Sequence, residues 1–313
     1  MLLTWQEFTS GGRPQGGSIP EDLRDFVENV SAKDRPALAL FRKTRVNSTF
    51  IEWQEDTLRA RGLNAFNEGA DFTDQALTTP TRSFTHVQLF ADWGSVADVQ
   101  RAVEHKGFAD AYLYQENKKI QSVLNDLEHA IHRQSAATGA TNAPRQFNGL
   151  LRAITTFASD HSGATLDESL WGDIVMKFVD GGTELRPSVA FVNSLLKRTI
   201  SQYSTKVTRF VGAAEKVQIN TIERHTSDFG EIDIYYARDQ LRATTKAGPG
   251  NSLTLVDPSY FEVAFLQPLM TETLARVGLA TRFQVSAMAT LIYRTEKAGA
   301  IATNVCSYIP ATP

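Results

Sequence analysis

Phe50-Ile51-Glu52-Trp53-Gln54-Glu55-Asp56-Thr57-Leu58 and Ser83-Phe84-Thr85-His86-Val87-Gln88-Leu89-Phe90 decide the fold, together with the run from Phe108 to Gln134 that follows them. Both stretches mix β-branched and aromatic residues with polar ones in rough alternation, the pattern of a half-buried strand. The polar, Gly-marked stretch between them, Asn64-Ala65-Phe66-Asn67-Glu68-Gly69-Ala70-Asp71 onward to Pro80, is too long for a tight turn. Residues 49–99 therefore read as an extended hairpin with a wide tip. From Phe108 on, Leu113, Ile120, Val123, Leu124, Leu127 and Ile131 form one helical stripe, with Glu116, Lys118, Lys119, Asp126 and Arg133 off it. That predicts a helix on the order of 40 Å long. A lone hairpin exposes unpaired edges and such a helix exposes an apolar stripe, so neighbouring copies are the simplest cover for both.

Composition bounds the rest. A chain of 313 residues, 42% hydrophobic and 21% charged, can bury one or two ordinary cores. Net charge is −3 and the pI is near 6.1, which excludes a molecule basic all over of the nucleic-acid-binding kind. The single Cys306 excludes an intrachain disulfide framework and a Cys-rich zinc site, and reads as a small buried hydrophobe. The first residues lack the basic and apolar regions of a secretory signal, and no window approaches a membrane span, so synthesis in the cytoplasm is expected.

Residues 1–20 hold Gly11, Gly12, Pro14, Gly16, Gly17 and Pro20 with few apolar anchors, the composition of an arm that needs a surface to order on. Trp5, Phe8 and Ile19 are its candidate anchors. Leu23, Phe26, Val27 and Val30 recur at helical spacing behind Pro20, Glu21 and Asp22, predicting a short amphipathic helix that Pro36 limits. Arg42, Lys43 and Arg45 form a local positive patch. Farther on, helices are expected over Phe147–Phe157, Asp167–Phe178 and Asn193–Tyr203, the last capped by Asn193 or Ser194. Strands are expected over 188–192, 216–224, 231–236, 252–256, 260–266, 282–293 and 299–305.

Patterns that resemble catalytic motifs fail on context. Asp228-Phe229-Gly230 spells a magnesium-binding kinase motif without the glycine-rich loop, strand lysine or catalytic loop that must precede it. Gly248-Pro249-Gly250-Asn251 lacks the lysine that would reach a phosphate, so it reads as a turn. His129 and His132 beside Glu128 lack a third ligand nearby and read as a polar helix face rather than a zinc site. No nucleophile, base and orienting group come together, so no catalytic, cofactor-binding or metal residue is assigned and no cofactor is expected.

Several blocks in order carry a family resemblance. Glu21-Asp22-Leu23 through Asn29-Val30-Ser31, Asn47-Ser48-Thr49 with Glu52-Trp53-Gln54, Asp56 and Leu58, and Asn67-Glu68-Gly69-Ala70-Asp71 with Leu77-Thr78, Pro80 and Arg82 come first. Asp228-Phe229-Gly230, Leu255-Val256-Asp257-Pro258-Ser259-Tyr260, Leu266-Gln267-Pro268-Leu269 with Thr271-Glu272 and Leu274-Ala275, and Thr290-Leu291 with Glu296-Lys297-Ala298 follow. Over residues 20–305 the chain resembles the major capsid proteins of certain tailed phages.

The resemblance implies an α+β fold of the Hong Kong 97 capsid type and a structural, non-enzymatic role in the icosahedral head of a tailed double-stranded DNA phage. On that pattern residues 1–46 would be the N-terminal arm and 47–95 the hairpin called the E-loop. Residues 96–145 would be the peripheral (P) domain with its spine helix, 146–255 the axial (A) domain, 256–298 returning P-domain strands and 299–313 a strand rejoining the A domain. Trp5, Phe8, Glu52, Trp53, Gln54 and Asp56 are the expected intersubunit contacts. The implied partners are further copies in hexamers and pentamers, a portal protein, a separate scaffolding protein, optionally a decoration protein, and packaged double-stranded DNA on the inner face, with no membrane. Residues 47–95 contain no lysine, so the isopeptide crosslink of the fold's type member is not expected. An encapsulin-type nanocompartment is the nearer alternative and a mixed α/β hydrolase or binding protein the remoter one.

Overall fold

The computed structural model describes residues 9–10, 13–14, 34–59, 62–63, 65–69, 71, 77–103, 110–139, 143–181, 185–203, 223–227, 230–243, 250–276 and 278–307. The expected helix over 20–30, most of the expected strand over 216–224, and the anchors Trp5 and Phe8 lie outside the described residues.

In chain order the elements are β1 (Thr9–Ser10), β2 (Arg13–Pro14), α1 (Pro36–Leu40), β3 (Arg42–Arg45), β4 (Phe50–Glu55), β5 (Thr81–His86), β6 (Gln88–Ala97), α2 (Asp98–Ala102), α3 (Ala111–Arg133), β7 (Ala137–Thr138), β8 (Arg145–Gln146), α4 (Leu150–Ala153), β9 (Ala158–Asp160), α5 (Glu168–Asp180), β10 (Val189–Val192), α6 (Ser194–Tyr203), β11 (Arg224–Ser227), β12 (Gly230–Tyr236), β13 (Asn251–Val256), β14 (Phe261–Leu274), β15 (Ala280–Tyr293) and β16 (Gly299–Val305).

Two sheets organise them. One has the order β3-β14-β15-β6 and the other β11-β12-β10-β13-β16-β9. The long helix α3 lies on the first sheet and buries Val123, Leu127, Ala130 and Ile131 against a core that includes Phe283, Val285, Ala287 and Ala289 of β15. Its first turn is capped by Asp110, whose carboxylate accepts the Tyr112 amide at 2.7 Å. The Phe283 ring sits where a Cβ on Gly94 would fall, 2.7 Å away, so β6 can approach the helix-facing core only because Gly94 has no side chain.

The second sheet is apolar on both faces. Val189, Phe191, Val256 and Ile301 belong to the α3 core. Ala190, Val192, Leu253, Leu255, Ala300 and Ala302, which alternate with them, belong to a second core with Trp171, Ile174 and Phe178 of α5 and Leu196 and Ile200 of α6. A strand buried on both faces reads as a continuous apolar run, as Val189–Val192 does.

Pro36 opens α1 at its first turn, where its missing amide is harmless. Three expectations are corrected. Leu113 is more than half exposed, because the stripe's first turn overhangs the packed core. Of the helix expected over 147–157 only Leu150–Ala153 forms; a Cβ on Gly149 would lie 2.5 Å from the Ala130 carbonyl, so the chain doubles back tightly against α3 there, and Ala158–Asp160 joins β16 as a parallel strand. The strand expected over 83–90 is two strands, β5 pairing with β4 and β6 pairing with β15. The Asp228-Phe229-Gly230 look-alike lies where β11 turns into β12; Asp228 and Phe229 are outside the described residues, and Gly230 pairs with Ser227 at φ +138.

Candidate assembly surface

The β4–β5 hairpin stands away from both sheets, held to the body by one of its faces. Ile51, Trp53 and Glu55 lie on that face opposite Thr85, Ser83 and Thr81. Trp53 meets Tyr293 edge-on at 5.1 Å. The Thr85 and Thr290 hydroxyls share a buried hydrogen bond at 3.0 Å. Burial raises the Glu55 carboxyl above its ordinary range, and nearby Glu296 adds to the shift. Tyr293 is pushed up by burial and then by Glu296 and Glu55. Burial also works against the charge of Glu296, but hydrogen bonds from the Thr155 and Thr156 hydroxyls and amides outweigh it and hold that carboxyl below its usual range.

The other hairpin face points to solvent. Glu52 and Gln54 are exposed on it, and Asp56 is exposed just beyond the strand, accepting the next amide, that of Thr57, at 2.8 Å. Strand alternation thus separates the four predicted hairpin contacts: three are free for a partner, while Trp53 is half-buried on its own subunit. Phe50, Phe84 and His86 form an aromatic cluster there with centroid separations of 5.1 to 5.8 Å. Phe84 is 53% exposed. Farther out, Leu58, Phe66 and Leu77 are exposed at 96%, 58% and 93%, and Leu63 is fully exposed. An isolated chain gains nothing by presenting large apolar side chains along one projection, and such patches mark interaction sites. Sequence reading singles out Glu52, Trp53, Gln54 and Asp56 and misses Phe50 and Phe84. The signal was present, since Phe50 pairs with His86 and Glu52 with Phe84 once the strands are aligned.

Where α3 ends, the geometry is of another kind. The Glu128 carboxylate, 1% exposed, accepts the Ala37 and Leu38 amides at 2.9 and 2.8 Å. It also lies 3.3 Å from His132 Nε2, whose Nδ1 faces the Gln240 amide at 3.1 Å. Gln240 continues to Ser252 and Thr254 of β13. With Gln240 donating to Nδ1, the Nε2–H donates to Glu128, so His132 is a buried link between α1, α3 and β13 and not part of a polar surface. His129 does face out and pairs with Asp239. Among the described residues no cluster of three or more His, Cys, Asp and Glu could hold a metal ion, and no helix is long and apolar enough to cross a membrane.

A family model described as SU10 major capsid protein matches residues 4–305. The chain belongs to that family. This capsid subunit is also similar to solved structures at low sequence identity, which speak for the fold. A capsid protein of a native GTA particle aligns with a TM-score of 0.67 at 12% identity, covering 93% of this chain and 97% of that one. The Gordonia phage Cozz structure gives 0.62 at 10% identity over 98% and 99% of the two chains. The holo-SrpI encapsulin complex of Synechococcus elongatus PCC 7942 gives 0.59 at 9% identity over 91% and 96%. No curated protein matches. The fold is thus the α+β Hong Kong 97 capsid type, and the protein is a structural major capsid protein of a phage virion.

Proposed function

We propose that this capsid protein closes with copies of itself, as hexamers and pentamers, into the icosahedral head of a tailed phage around packaged double-stranded DNA, and carries no enzymatic activity. The observation that carries the reading is the family match over residues 4–305. The exposed apolar hairpin gives it a physical basis, since a neighbouring copy supplies the cover that the isolated chain lacks. Residues 47–95 act as the E-loop and residues 1–46, through Trp5 and Phe8, as the arm. Strands β14 and β15 with α3 act as the P domain (96–145 and 256–298), flanked in their sheet by β3 of the arm segment and β6 of the E-loop segment, and the other sheet with α5 and α6 acts as the A domain (146–255 and 299–313). Glu52, Gln54 and Asp56 meet the neighbour, with Trp53 setting the hairpin's angle. Scaffold, portal and any decoration protein are separate chains, and synthesis takes place in the host cytoplasm. A net charge of −3 suits a container that must release its DNA.

Expression of the full chain with negative-stain microscopy tests this directly. Closed shells or hexameric and pentameric rings are expected, and a stable monomer at high concentration would overturn the reading. The likeness to the encapsulin favours one second reading, a compartment for protein cargo. Shells from infected cells that hold a protein cargo and no DNA would select it.

A further inference from the structure

Of the four edges of the two large sheets, three are guarded and one is not. Strand β3 is four residues long and carries Arg42, Lys43 and Arg45, β11 is four residues long with Arg224 paired to Glu231 and Asp233, and β9 has three residues. Strand β6 runs for ten residues without Lys, Arg or Pro, and its one charge, Asp92, is taken by Lys119 at 2.9 Å. Its inner side is bonded to β15. Strand β4 guards the outer side only as far as Val87, whose amide donates to the Thr49 carbonyl at 2.9 Å. The Asp98 amide donates to Leu279 in the frame of the β6–β15 ladder, so by antiparallel alternation the amides of Leu89, Ala91, Trp93, Ser95 and Ala97 point outward. The Trp93 amide reaches only the adjoining Asp92 carboxylate, at 2.9 Å. Among the described residues no strand pairs with this side, and Leu89 and Trp93 on it are 58% and 70% exposed. A long, uncharged edge of this kind is a template for a further strand.

We propose that β6 pairs antiparallel with β6 of a second copy about a two-fold axis at Trp93, joining the β3-β14-β15-β6 sheets of the two copies into one. Length selects this partner. The free edge of β4 offers six residues, Glu52 and Glu55 among them, whereas a second β6 matches all ten. Register follows from the outward amides, which must oppose one another. Centring the pair on Trp93 sets Leu89 opposite Ala97 and Ala91 opposite Ser95, large or equal against small, with Trp93 facing its own equivalent; any other centre leaves some outward amides without a partner. Charge permits it, because each Asp92 is already neutralised by Lys119 of its own subunit. The contact is also continuous with the exposed hairpin surface, since β5 runs into β6 across Val87. Such a contact is isologous and closes at two copies. The inference therefore stands apart from the capsid reading: the dimer is expected whether or not shells form.

Sedimentation velocity of the full chain, at a concentration below that at which shells form, tests it. The parent is expected as a dimer of the 34.6 kDa chain. Trp93→Lys and Trp93→Glu, at an exposed position, set like charges opposite each other and are each expected to weaken the dimer by at least roughly 10-fold, while an equal mixture of the two restores it. That rescue is peculiar to a residue that faces its own equivalent. Ala91→Pro removes one outward amide and leaves the β15 ladder whole, so it is expected to give a monomer whose β14 and β15 amides exchange as in the parent. Where shells do form, Trp93→Cys is expected to give a dimer band in non-reducing gels, because directly opposed residues of a hydrogen-bonded pair have Cα atoms about 5.5 Å apart, within disulfide reach. A parent that is monomeric short of shells and gives no such band, a dimer indifferent to Ala91→Pro or to both charged substitutions, or a mixture that stays monomeric each overturns the proposal.

Discussion

Glu128 shows how one residue decides a junction. Its carboxylate accepts the amides of Ala37 and Leu38 and also takes the His132 N–H, all out of reach of water. Removing it leaves buried donors unpaired, which costs about 1–3 kcal/mol per group. Glu128→Ala is therefore expected to lower unfolding stability by about 2–4 kcal/mol, read from the urea midpoint, with Glu128→Gln recovering part of the loss by keeping one acceptor oxygen. His225 makes a pH-dependent prediction. It packs edge-on against buried Trp171 at 5.6 Å, and burial lowers its pKa from 6.5, with Glu168 opposing. The unfolded chain therefore takes up a proton first, and the His225 contribution is present above about pH 6.5 and declines as the pH falls from there through the folded pKa. The drop in urea midpoint from pH 7.5 to 5.5 should be smaller in His225→Phe than in the wild type. An equal drop would show that His225 does not titrate against folding. Neither role was legible in the sequence: Glu128 and His132 stand one turn apart on α3, but what they reach, Ala37 and Gln240, is about a hundred residues away along the chain.

Elements were legible where one periodicity ruled and illegible where tertiary contacts set the boundary. The stripe Val123, Leu127 and Ile131 located α3 because a single sheet face covers it. Leu113 continues the same arithmetic past the edge of that face, where periodicity carries no information about cover. The hairpin was legible as two strands, yet its two faces were not, because which alternate set turns inward depends on Tyr293 and Thr290, far along the chain. The inward set, Trp53 and Thr85, makes the hairpin part of the body. The outward set, with the apolar tip, is surplus to folding. Deleting residues 60–80 is therefore expected to leave the thermal unfolding of the subunit close to that of the parent while abolishing closed shells. Normal shells from the deletion, seen by microscopy, would show that the hairpin tip is not an assembly element.

At the scale of the whole molecule, the question is how a shell of such subunits is held. Covalent linkage needs reactive groups within reach of a neighbour, and the chain supplies few. Its single cysteine, Cys306, is 8% exposed beside β16, so a disulfide between copies would first have to open the second sheet. The hairpin, whose described tip residues are exposed, has no lysine anywhere in 47–95 to form an isopeptide bond. What remains is non-covalent: apolar side chains such as Phe84 and Leu77 and charged ones such as Glu52, each weak alone and repeated at every equivalent contact. Strength in such a shell comes from number, because one contact can open while its neighbours hold the subunit in place for re-closure. Purified shells are therefore expected to withstand dilution yet run in denaturing, reducing gels as one band near 34.6 kDa. A ladder of oligomers persisting in those gels would show a crosslink formed by groups outside the hairpin and would overturn the non-covalent account.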